Sequence, residues 1–169
     1  MIKRRLRGVI LLLINTLLKG NRFWTVKRFL LNKSGCSVGK NTKIVGPIRM
    51  GVCADLFIGE NCWIGENLCI YGNDRVTIGN RCDLAPNVCF ATGTHIIGSH
   101  DRRAGEGYCK PITIGDGCWI GINSTFLSNV DISDGCIIAA GAVITRSFKE
   151  DCLIAGVPGK IVKTLDCGD

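Results

Sequence analysis

The sequence predicts an all-β chain wound as a parallel β-helix of about five coils behind a helical N-terminal segment. Three observations predict it. Aliphatic residues recur every six positions over most of the chain. Glycine is enriched, at 22 of 169 residues against a usual ~7%, while proline occurs only 4 times. Hydrophobic residues make up 46% and charged ones 21%, a globular composition for one domain at this length.

The period opens as Ile58-Gly-Glu-Asn-Cys-Trp, Ile64-Gly-Glu-Asn-Leu-Cys and Ile70-Tyr-Gly-Asn-Asp-Arg. After a two-residue offset it resumes at Ile78, Leu84 and Phe90, then runs without slip through Ile114, Ile120, Phe126, Ile132, Ile138 and Ile144. A period of six matches neither a helix at 3.6 residues per turn nor the two-residue alternation of a long strand. It matches a short strand plus a turn, with the aliphatic residue inward at each pass. Three units make a triangular coil of roughly 18 residues, and coils stack at the ordinary ~4.8 Å strand spacing. Gly59, Gly65, Gly79, Gly115 and Gly121 fall where the backbone turns, and Asn61, Asn67, Asn80 and Asn87 tolerate strained turn conformations beside them.

Residues 1–35 read as a basic amphipathic helical segment ahead of the 36–169 repeat domain. Lys3, Arg4, Arg5 and Arg7 precede the apolar run 9–18, which Asn15 and Thr16 interrupt. Ten such residues cannot span a bilayer, which takes about 20. Phe23-Trp-Thr-Val-Lys-Arg-Phe-Leu-Leu31 repeats the mixture. Two readings stand: helices covering one end of the domain, whose terminal coil exposes unpaired backbone, or helices lying on an anionic membrane surface.

The chain has eleven cysteines, an odd number with no CxxC spacing. Cys62, Cys82, Cys118 and Cys136 each sit four residues after a repeat isoleucine, and so read as small buried side chains. A reducing cytoplasm follows as the expected compartment. The net charge of +7 favours an anionic contact, but residues 1–33 alone hold nine Lys/Arg and no acid. No aromatic-basic platform supports nucleic-acid binding.

Between Phe90 and Ile114 the period breaks. The stretch 95–110 is charged, rich in glycine and non-periodic, so it should project outward as a loop, where function concentrates. Both histidines, His95 and His100, lie in it. Histidine titrates near neutral pH and suits general base work.

These motifs resemble the hexapeptide-repeat acyltransferases, in their sugar O-acetyltransferase-like branch, over roughly residues 36–163. The tail Ile154-Ala-Gly-Val-Pro-Gly-Lys-Ile161 is similar to that branch's closing Ala-Gly-x-Pro-Ala-Lys signature, with Gly159 in place of alanine. The resemblance implies a left-handed β-helix, acetyl-CoA as donor, a sugar hydroxyl as acceptor in surface polysaccharide synthesis, and a homotrimer with sites between subunits. It implies His95 as general base, on the spacing of the downstream Arg102-Arg-Ala-Gly and Lys110-Pro-Ile-Thr-Ile-Gly; His100, which Asp101 follows, is the alternative. For the donor it implies Trp119, Ala140, Thr145 and Arg146 along the arm and Lys160 and Lys163 at the nucleotide phosphates. For the acceptor it implies Asn67, Asn73 and Asp74. No metal is expected: zinc carbonic anhydrases on this scaffold use three histidines, and this chain has two. Nucleotidyltransferases need a further domain that this length excludes. Serine or antibiotic acetyltransferase activity, or a non-catalytic scaffold, are the alternative functions.

Overall fold

Short strands separated by turns are what a six-residue aliphatic period leaves room for. They are what the computed structural model, which describes residues 2–166, contains. The first sheet stacks Ser37–Val38, Asp55–Ile58, Arg75–Ile78, Ile112–Ile114 and Val130–Ile132 in parallel. The second stacks Lys43–Ile44, Trp63–Ile64, Asp83–Leu84, Trp119–Ile120, Ile137–Ile138 and Cys152–Ala155, and Lys160–Thr164 closes its edge antiparallel. The third stacks Ile48–Met50, Leu68–Tyr71, Cys89–Ala91, Thr125–Leu127 and Val143–Ile144. The chain is a left-handed β-helix of five complete coils that begins a sixth.

Inside, like stacks on like. Val38, Ile58, Ile78, Ile114 and Ile132 form one buried column, and Phe90 stacks on Phe126 with centroids 4.9 Å apart. The coils are not uniform. Ile58 pairs with Ile78 at an interval of 20 residues, and Ile114 with Ile132 at 18. The extra pair lies in the turn 72–74, between the third and first sheets.

The corner glycines are needed for clearance between coils. A Cβ on Gly65 would lie 2.7 Å from the backbone of Ala85. Asn61, Asn67 and Asn87 adopt left-handed φ values of 58°, 57° and 61°. Asn80 does not. It stands one position earlier in its repeat than they do, so Arg81, in register with Asn61, takes the left-handed position there, at φ 54°; the Asn80 side chain instead joins a ladder between coils. Its Oδ1 accepts from the Glu60 N–H at 2.9 Å, and its own N–H donates to Asp116 Oδ1 at 2.8 Å. That bond from the Asn80 backbone, with the Asn80 amide and Arg81 nearby, holds the Asp116 carboxyl below its usual range.

The repeated cysteines form a second ladder. Cys62 Sγ donates to Gly79 O at 3.1 Å, Cys82 Sγ to Gly115 O at 3.0 Å and Cys136 Sγ to Lys149 O at 3.1 Å. Each thiol therefore serves as a small buried donor that ties one coil to the next. The adjacent Cys118 thiol, together with burial, pushes Cys82 up to about 11.

Helices α1 (Ile2–Thr16) and α2 (Trp24–Lys33) cover the first coil. Strand N–H and C=O groups point along the stacking axis, so the first coil ends in unpaired groups. One polar side chain reaches each of its three strands or the turn beside it. Asn32 clasps Val38, accepting from its N–H at 2.7 Å and donating to its carbonyl at 3.1 Å. Lys27 Nζ donates to the carbonyls of Ile44 at 3.0 Å, Val45 at 2.7 Å and Gly20 at 2.6 Å. Asn15 clasps Ile48 at 2.9 and 2.7 Å. Arg7 is buried too, donating to the carbonyls of Ser34, Val52 and Ala54. Two of the basic residues at the N-terminus are thus internal donors, and Asn15, which breaks the apolar run in the sequence, is a docking residue. The side chains of Lys3, Arg4 and Arg5 lie outside the described part. At the other end Val143 N–H donates to Gly156 O at 3.1 Å and its carbonyl accepts from Gly159 N–H at 2.8 Å, so the tail folds back over the last coil. Among the described residues no helix is long and apolar enough to cross a membrane.

Candidate active site

The segment expected as a loop is an antiparallel β-hairpin, Gly93–Ile97 with Ala104–Cys109. It leaves the third sheet after Ala91 and re-enters the first at Ile112, so it rises from the corner between those two sheets. A polar anchor sets its base. Buried Thr92 donates from Oγ1 to Tyr71 O at 2.9 Å and accepts from the Asp74 N–H at 3.3 Å. Cys109 Sγ accepts from the Asn73 N–H at 3.4 Å. Asn73 and Asp74 therefore share the hairpin's corner.

His95 pairs with Gly107 across the hairpin and is exposed. Its ring lies against that glycine: a Cβ on Gly107 would come within 3.4 Å of His95 Nε2. The pairing with Gly107, just before a bulge between His95 and Ile97, holds the imidazole on the hairpin ladder. His100 lies in the bend at the hairpin tip, also exposed. Among the described residues no carboxylate bonds either imidazole.

The expected donor residues divide. Trp119 and Ala140 line an apolar groove of about 470 Å³ on the second sheet and the adjoining corner, with Ile122, Ile137, Ala139 and Leu153. Trp119 is 59% exposed. Trp119, Ile137, Leu153 and Lys163 are successive register partners across this sheet, so an ammonium-bearing residue ends an apolar row. Lys160 pairs with Ala155 one step along the same edge. Thr145 and Arg146 are elsewhere. They follow the third sheet, and Arg146 stacks its guanidinium 5.2 Å from the Phe148 ring, on a separate hollow of about 490 Å³ that Ile161 and Thr164 also line. Asn67 sits at the second–third corner, where its amide donates to Asn87 Oδ1 at 3.0 Å.

The expected site residues therefore fall in separate places on one chain. His95, Asn73 and Asp74 sit at the third–first corner, and the Trp119 groove lies on the second sheet, which in a triangular coil faces the opposite way. Thr92, Gly107 and Cys109 were not read as site residues in the sequence. Only Thr92, a polar residue beside the point where the aliphatic period fails, left a trace there.

The family described as bacterial transferase hexapeptide (six repeats) matches residues 111–146, and that described as hexapeptide repeat of succinyl-transferase matches residues 56–89. Galactoside O-acetyltransferase of Escherichia coli (strain K12) is 31% identical over 83% of this chain and 69% of its own length. The chain belongs to the hexapeptide-repeat sugar O-acetyltransferase family. A hexapeptide-repeat acetyltransferase of Vibrio cholerae O1 biovar eltor, solved in complex with acetyl-coenzyme A, superposes with a TM-score of 0.82 at 27% identity, covering 97% of this chain and 87% of that one. A provisionally named colanic acid biosynthesis acetyltransferase of E. coli (strain K12) is 25% identical over 81% of this chain and 74% of its own length.

Proposed function

We propose that this acetyltransferase moves an acetyl group from acetyl-CoA to a sugar hydroxyl. It works as a homotrimer, with each site closed between the hairpin of one copy and the second-sheet groove of its neighbour. The observation that carries the reading is the division of the site. Direct transfer requires the base, the acceptor oxygen and the thioester carbonyl to lie together, yet His95 and the Trp119 groove face opposite sides of one chain. A rotational neighbour brings one against the other.

His95 takes the hydroxyl proton as the acceptor oxygen attacks the thioester carbonyl. When the tetrahedral adduct collapses, the C–S bond breaks and the imidazolium returns the proton to the leaving thiolate. Asn73 and Asp74, beside the hairpin base, face the acceptor. The Ile137–Leu153 row takes the pantetheine arm, and the small Ala139 and Ala140 let its amides approach the main chain. Lys160 and Lys163 meet the phosphates. The donor and the colanic acid relative support a cytoplasmic enzyme of surface polysaccharide synthesis.

Subunit mixing tests this reading. His95→Ala and the groove-blocking Ala140→Leu are each inactive alone, and a co-expressed mixture regains roughly a quarter of wild-type activity, as random pairing in a closed ring requires. No recovery in purified mixed trimers would place the site within one chain. Wild-type protein that releases no thiol with any sugar acceptor would overturn the acceptor class instead.

The lysines give a separate expectation. Lys160→Ala and Lys163→Ala should each raise the KM for acetyl-CoA roughly 2- to 30-fold with little change in kcat. Acetyl-pantetheine, which lacks the nucleotide phosphates, should be indifferent to both. Equal losses with the two donors would show that the lysines act through folding or assembly.

A further inference from the structure

Helix α1 has two apolar faces. Arg7, Ile10, Leu11 and Ile14 are buried against the first coil. On the far side Leu6, Val9 and Leu12 are 47%, 64% and 65% exposed, and Leu17 just beyond the helix is 73% exposed. Helix α2 repeats the arrangement. Lys27 and Leu31 face the coil, while Val26 and Phe29 are 45% and 58% exposed on the outward side. Lys33 lies 5.4 Å over the Phe29 ring. Packing explains one face of each helix and leaves the other without a partner among the described residues.

The charge around that outward face has one sign. Lys19, Arg22 and Lys33 are exposed, Arg28 is half-buried, and residues 1–33 contain no acid. Arg7 and Lys27 are spent on the coil end, so among the described side chains of the cap these are the cations left for something outside. A second copy meeting the same face by a twofold axis would set cation against cation, which disfavours self-pairing. Exposed Leu, Val and Phe interleaved with Lys and Arg match the interface of an anionic bilayer, where the apolar side chains enter the acyl boundary and the cations meet headgroup phosphates.

We propose that the two-helix cap docks the protein end-on to an anionic membrane surface, with the outward faces of α1 and α2 as the contact and the coil axis directed away from the lipid. The side chains that cap the first coil bond groups directed along the stacking axis, so the outward faces of both helices are the end of the solenoid and not its flank. In the proposed trimer a threefold axis along the coils would present three such ends on one side, and their contacts would reinforce one another. The hairpin leaves the third coil, two coil rises or roughly 10 Å beyond the capped first one. Resting on the acetyltransferase reading above, this height suits an acceptor glycan held at the membrane surface.

Flotation of the full-length protein with vesicles tests the contact without substrate, so its outcome is independent of the catalytic reading. Vesicles of about one-third phosphatidylglycerol in phosphatidylcholine should carry the protein at least tenfold better than phosphatidylcholine alone, and added salt should weaken the binding. The double variant Leu12→Gln, Phe29→Gln replaces two exposed side chains. It should lose vesicle binding at least tenfold while keeping the wild-type melting temperature and its activity on a water-soluble acceptor. Absence of wild-type binding to anionic vesicles, equal binding to neutral ones, or undiminished binding by the double variant would each overturn the proposal. A smaller assembly for the double variant in sedimentation, with no vesicle binding by wild type, would assign the face to protein contacts.

Discussion

His95→Ala is expected to lower kcat by about 10²–10⁴-fold, the usual worth of a positioned general base. The KM for acetyl-CoA should hardly change, because in the proposed site His95 meets the acceptor hydroxyl while the second-sheet groove of the neighbouring copy holds the pantetheine arm. His100→Ala is the matched control: it removes the other histidine from the bend at the hairpin tip and should leave kcat near wild type. The structure gives a reason for the difference. His95 is held in register between strands, against Gly107, whereas His100 sits in the bend that joins them. Steady-state kinetics of both variants, with circular dichroism to confirm folding, reads the result directly. Full activity in His95→Ala with loss in His100→Ala would transfer the role to His100.

Lys27→Met should cost about 2–6 kcal/mol of stability, the order expected when two buried carbonyls lose their donor. Methionine fills similar volume but leaves the carbonyls of Ile44 and Val45 without their donor, while that of Gly20 still accepts from the Arg22 N–H; each unsatisfied buried acceptor costs about 1–3 kcal/mol. Chemical denaturation followed through Trp24, which packs edge-on to Trp63 at 6.4 Å, reports on the cap. A change below about 1 kcal/mol would mean that water reaches these carbonyls. Burial also lowers the Lys27 pKa. Between that lowered value and the ordinary one near ~10.4 the unfolded chain binds more protons than the folded one, so this group makes stability rise with pH there. Lys27→Met should abolish that slope.

The coil architecture was legible in the sequence because its cause is local. A strand of two or three residues followed by a turn repeats one backbone path, and the inward position recurs with it, so Ile114, Ile120 and Phe126 declare the core by spacing alone. The cysteine column was legible for the same reason. Asn80 was misread among its neighbours although the spacing separates it from them: it stands two residues after its repeat aliphatic, whereas Asn61, Asn67 and Asn87 stand three after theirs; only its bonds to Glu60 and Asp116 depend on the coils above and below.

The sequence by itself determined the repeat, the core, the position of the interruption and the histidines within it. Only the tertiary structure decided that Arg7 and Lys27 are internal, that the interruption is a hairpin, and that His95 and Trp119 face different ways. The physical reason is the range of the interactions. Period and burial follow from neighbours a few residues apart, whereas the donor that caps a carbonyl depends on which groups winding leaves unpaired at a coil's end. Likewise, which corner a side chain occupies depends on the number of residues in every coil before it, including the two-residue excess of the early coils.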